Sequence, residues 1–179
     1  MAKSRGQKRA AKAKKRQQTR KNKPARKVAV PGVAKPSSNE PLSAELAAEL
    51  GYDPNVEVDP QEWGSLDERQ RLSRVAKYHN ATLKRAQMPP SMQRHSAMHV
   101  IVESQLVDAA PPQARSALTR LMGEGMSRHD AIHAIGWLAT EHMRRAMAKQ
   151  RPVDDKAYAN DLSALTVRSW LKAAGLKGL

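Results

Sequence analysis

The sequence predicts an all-α protein, a compact helical bundle of about five helices behind a disordered basic N-terminal tail. Three observations carry that reading. There is no Phe and there are only three Trp and three Tyr, so the core is left to Leu, Val, Ile, Met and Ala, which favours helices over a sheet. Apolar residues after position 40 recur at helical spacing, and no strand-like alternation interrupts them. Helix-start and helix-stop residues bracket each apolar stripe.

The charge is divided unevenly. The formal net charge is +15. Residues 1–36 hold 14 Lys or Arg and no acid, and the first carboxylate is Glu40. Beyond position 36 there remain 18 basic and 17 acidic residues. A nearly neutral body therefore carries a +14 tail, and the high pI describes the tail. Residues 1–40 read as disordered, because like charges repel and apolar content is low. The domain division follows as a tail over 1–40 and a helical domain over 41–179.

Each element of the body has its own signals. Ser43 to Leu50 fits a short helix with Gly51 as its stop. Asp59-Pro60-Gln61-Glu62 reads as an N-cap, a Pro in the first turn and an acid behind it. It opens a single turn that Gly64 closes. Ser65-Leu66-Asp67-Glu68 starts a long helix marked by Leu72, Val75, Ala76, His79, Leu83 and Ala86, and Met88-Pro89-Pro90 breaks it. Ser91 caps a helix over about Met92 to Val107, with the stripe His95, Met98, His99, Val102, Leu106. Another follows Pro111-Pro112 and carries Ala114, Leu118, Leu121 and Met122 up to Gly123. Ser127 with Asp130 starts a helix that ends near Lys149. One last helix is expected from about Tyr158 to Ala174, with Gly175 as its stop.

Several function classes are excluded or lack support. The chain has no Cys, which rules out disulfides and thiolate metal sites. No run of 18 apolar residues exists, so no membrane span is expected. The tail has the charge of a signal-peptide start without an apolar segment behind it, and it is Lys-heavy where a transit peptide is Arg-rich and amphipathic. A soluble, cytoplasmic protein is expected. No GxSxG, no phosphate-cradling Gly loop and no Cys nucleophile is present.

The informative chemistry is a histidine constellation. His95 and His99 are four residues apart, with Glu103 four further on. His129 and His133 are likewise four apart. Residues at i and i+4 stack on one helix face, about 6 Å apart along the axis at about 1.5 Å per residue. Two imidazoles so placed can reach one ion. His79 shares its stripe with Leu72, Val75 and Leu83, so three helices turn imidazoles inward. The candidate metal ligands are His95, His99, His129 and His133, for a divalent transition metal, zinc or iron. Glu103 lies about 12 Å from His95 along the axis by the same rise. It is the candidate catalytic base, or an acceptor that orients His99. HxxxH lacks the Glu of the zinc-protease motif, so that chemistry is not inferred. The competing reading makes the histidines a hydrogen-bonded structural layer. The protein is then non-enzymatic and associated with nucleic acid or the ribosome.

At these residues the sequence resembles an uncharacterised bacterial helical family, the domain of unknown function numbered eighteen-forty-one. The matching positions are His95, His99, Glu103 and Gln105, then His129, Ala131 and His133. The resemblance covers about Trp63 to Arg145 and implies a small helical domain. It carries no activity. The stretch Ile135-Gly136-Trp137-Leu138 lacks the further carboxylates of some members, which argues against a two-metal site.

The tail points to sequence-independent contact with RNA, DNA or the ribosome. Lys8, Arg9, Lys12, Lys14, Lys15, Arg16, Arg20 and Lys21 are the candidate contacts, since Lys and Arg neutralise phosphates and release counterions. The tail has no aromatic residue, so base stacking is not expected of it.

Overall fold

A computed structural model describes residues 41–175. The basic tail over 1–40, with the polyanion contacts expected at Lys8 to Lys21, lies outside the described residues.

The described residues form eight α-helices and no strand, not the expected five helices. They are α1 (Ala44–Leu50), α2 (Pro60–Ser65), α3 (Glu68–Thr82), α4 (Met92–Asp108), α5 (Gln113–Gly123), α6 (Arg128–Lys149), α7 (Asp155–Ala164) and α8 (Val167–Ala174). Side-chain caps set most of the starts. Ser43, Asp59, Asp67, Ser91, Ser127, Asp154 and Thr166 each accept a hydrogen bond from a backbone N–H in the first turn. Each such cap is worth ~1 kcal/mol. Gly51 ends α1 at φ +68°, a left-handed geometry that a Cβ would strain, and the Arg74 side chain packs 3.2 Å from where that Cβ would sit.

Two boundaries depart from the sequence reading. The single last helix is two, divided at Leu165 and Thr166. Arg120 of α5 donates to the carbonyls of Leu162 and Leu165 and so satisfies the end of α7. Thr166 and Ser169 form a capping box that starts α8. The tertiary contact from Arg120 stabilises a break that the apolar stripe conceals. The long helix α3 also stops at Thr82, short of Ala86. Leu83 turns extended, and Arg85–Gln87 forms one 3₁₀ turn in which the Gln87 side chain accepts from the Lys84 N–H.

Helix α4 is the axis of the body. It packs against α3 on one side and α6 on another. Two apolar cores flank it. One joins Val102 and Leu106 of α4 to Leu121 of α5, Ile132 and Ile135 of α6, Leu162 of α7 and Trp170 of α8. The other joins Val100 of α4 to Leu50, Tyr52, Trp63, Val75 and Tyr78. Leu121, Ile132, Ile135 and Leu162 are fully buried, each worth about 1.5–3 kcal/mol by burial. Gly136 of α6 lets α4 come close. A Cβ there would stand 2.3 Å from Met98 Cγ and 2.7 Å from Met98 Sδ.

Candidate metal centre

Where α3, α4 and α6 meet, the interior is imidazole instead of aliphatic. His79 comes from α3, His95 and His99 from successive turns of α4, and His129 and His133 from successive turns of α6. His79, His95, His99 and His129 are buried, and their ligand atoms lie within 4.8 Å of one another. His133 is half-buried, with its Nε2 3.0 Å from His99 Nε2.

The nitrogens face one another. His95 Nε2 is 3.1 Å from His79 Nε2, His79 Nε2 is 3.3 Å from His99 Nε2, and His99 Nε2 meets His133 as above. An imidazole nitrogen has one in-plane site, either an N–H or a lone pair. His79 Nε2 and His99 Nε2 each have two such neighbours, so hydrogen bonding cannot satisfy every contact. Two nitrogens bound to one ion at ~2.0–2.1 Å stand ~3.0 Å apart at a right angle and ~3.3 Å apart at the tetrahedral angle. The observed spacings fall in that range.

Burial keeps the rings neutral. It is the main cause of every shift, with repulsion from neighbouring histidines second at His79, His99, His129 and His133. His95 is pushed down to about 4, His133 to about 3 and His79 to about 2. His99 and His129 are held well below the ordinary histidine range. Neutral imidazole is the form that ligates a metal.

Behind His99 stands a buried polar relay. The Tyr52 hydroxyl donates to Glu103 Oε1 at 3.0 Å and lies 3.0 Å from His99 Nδ1. Arg128 donates to both Glu103 oxygens, at 2.8 and 2.6 Å, and to the Pro54 carbonyl at 2.9 Å. Glu103 and Arg128 are both buried. Arg128 holds Glu103 in a bidentate ion pair, in which the carboxylate oxygens are acceptors. The phenol therefore spends its one proton on Glu103 and accepts from His99 Nδ1–H. That fixes the tautomer of His99 and leaves a lone pair on Nε2, facing the other histidines. Burial, then the charge of Glu103, raises Tyr52 well above the ordinary phenol range, so it stays protonated. Burial works against the charge on Arg128, and the Glu103 hydrogen bond and charge outweigh it, so its pKa is raised. His79 and His95 have no such support, for their Nδ1 atoms are buried without a hydrogen-bond partner.

The structure thus groups His95, His99 and His129 of the expected set with His79, and His133 adjoins them through its contact with His99. Glu103 stands one side chain away from the imidazoles, behind Tyr52. His142, on the same helix as His129 and His133, lies apart, 2.9 Å from Asp161 Oδ2. His79 was visible in the sequence as an inward-facing residue. Tyr52 carried no local signal, since its partners His99 and Glu103 are 47 and 51 residues away. Arg128 did carry one. A cation in the first turn of a helix opposes the helix dipole, so its place there points to a buried anion.

No family model, no curated protein and no solved structure matches the chain. Among the described residues, no helix is long and apolar enough to cross a membrane.

Proposed function

We propose that the helical domain binds a divalent transition metal through imidazoles of α3, α4 and α6. His95, His99, His129 and His133 are ligands in this reading, and His79 joins them. The observation that carries it is the double contact at His79 Nε2 and His99 Nε2, which a cation satisfies and a hydrogen-bonded histidine layer does not. Iron and zinc both suit imidazole donors. Glu103 serves as a positioning residue through Tyr52, because Arg128 and Tyr52 already occupy its oxygens.

The test is elemental analysis of the untagged full-length protein. About one transition-metal ion per chain supports the reading. A metal-free protein whose melting temperature does not rise on adding zinc, iron, nickel or copper refutes it.

The basic residues 1–36 have a second part in the proposal, contact with RNA, DNA or the ribosome, and charge alone supports it. Deleting 1–36 should abolish polyanion binding together with its salt dependence. Retained binding by the remaining chain would overturn this part.

A further inference from the structure

Five imidazoles are more than a tetrahedral ion needs, and their arrangement has a pattern. The His99 ring lies against each of the other four, with centroids 4.7 Å from His79, 4.9 Å from His95, 5.2 Å from His129 and 4.9 Å from His133. The other four close a ring among themselves. His79 meets His95 at 4.3 Å, His95 meets His133 at 5.1 Å, His133 meets His129 at 4.4 Å, and His129 meets His79 at 5.2 Å. One ring standing over a closed set of four is the arrangement of a square pyramid with His99 at its apex. The Nε2 contacts at 3.0, 3.1 and 3.3 Å run along edges of that pyramid. For nitrogens ~2.1 Å from an ion, a right-angled edge is ~3.0 Å.

A square pyramid is an octahedron with one vertex open. We propose that the cluster is a five-histidine centre for a five- or six-coordinate divalent first-row ion, with its open vertex opposite His99 taking a small anion. This deepens the metal-binding reading and rests on it. Iron suits such a set, whereas zinc in a closed structural site takes four ligands in a tetrahedron.

Charge gives the class of ligand. Five neutral imidazoles leave the ion's two positive charges uncompensated. The nearest buried carboxylate, Glu103, is neutralised by Arg128 and sits behind His99, on the far side from the open vertex. The site therefore favours an anion, and the packing limits its size. Four of the five rings are buried, and His133, at a basal corner, is the half-buried one. Hydroxide, peroxide and superoxide have the required charge, and azide is the matching probe.

The experiment loads the full-length protein with cobalt(II) and records its visible spectrum with and without azide. The expected result is one cobalt per chain, the weak bands of a five- or six-coordinate ion, and a new band that saturates at one azide per cobalt. X-ray absorption of the same sample should count five imidazole nitrogens. His133→Gln should keep cobalt and change the azide-free spectrum. Intense tetrahedral bands that azide does not move would overturn the five-coordinate centre and leave the metal site standing. A His133→Gln spectrum identical to that of the parent would also overturn it. Failure to bind cobalt at all would overturn both readings.

Discussion

Helix α6 carries histidines at both ends, and they are wired in opposite ways. Toward its C-terminal half, His142 faces an acid, with Nε2 2.9 Å from Asp161 Oδ2 and its ring 5.3 Å from that of Tyr158. That histidine lines a cleft of about 490 Å³ with Ile101, Ala139 and Tyr158 and has an ordinary polar partner. In the first turns, His129 and His133 face other imidazoles, in a region where the buried carboxylate of Glu103 is held by an arginine. The solitary His142 is itself buried and meets a half-exposed acid. Five histidines turned on one another are costly to fold without a cation. The difference lies in what the opposite helix supplies, and only the second arrangement asks for a ligand.

That contrast can be broken in order of expected effect. The largest belongs to the relay behind the cluster. Glu103→Ala leaves Arg128 buried and unpaired, a change that costs about 3–5 kcal/mol, read as a lower denaturant midpoint. At the other end of α6, the partner of His142 has a side chain 49% exposed. Asp161→Asn should therefore cost under about 1 kcal/mol. Equal losses at the two sites would dissolve the distinction.

The pH dependence of the metal-free protein comes next. Unfolded histidines take up protons near pH 6.5, while His95 in the fold resists until about 4, His133 until about 3 and His79 until about 2. Between those limits the unfolded chain binds more protons than the folded one, so stability falls as pH falls. Chelated protein should lose denaturant resistance steadily from pH 6.5 downward, and metal-loaded protein should lose less until the ion dissociates. A flat profile for the chelated form between pH 7 and 5 would mean that the rings are not buried as a group.

Tyr52→Phe removes the hydroxyl that fixes the His99 tautomer. It should weaken metal affinity by about 10–100-fold while the helical circular dichroism persists. Affinity unchanged within about twofold would leave the relay without a role in the site. Gly136→Ala should cost about 1–3 kcal/mol, because its Cβ meets Met98 between α4 and α6. Metal affinity should drop with it, since His99 and His133 sit on the same two helices. Full stability in that variant would show that α4 and α6 can separate without harm.

Much of this was legible from residues alone. Capping side chains at Asp59, Ser91 and Ser127 announced their helices, because a cap is a local bond within four residues. The i,i+4 spacing put His95 with His99 and His129 with His133 on common faces. The division of the last helix escaped notice because Arg120 ends α7 from 42 and 45 residues away. Tyr52 was hidden for the same reason. It leaves α1 just after Gly51 and reaches His99 across the body. The stripe of α3 puts His79 on the inward face, but a single histidine lacks the paired spacing that marks the others as ligands. Short-range chemistry was readable, and contacts that depend on how α3, α4 and α6 cross were not.

The most direct test compares the imidazole cluster with the lone histidine of α6 in one assay, the metal content of untagged full-length protein with His99→Ala or His142→Ala. About one ion per chain is expected in the parent and in His142→Ala, with loss of the ion in His99→Ala. Equal metal content in the two variants would contradict it.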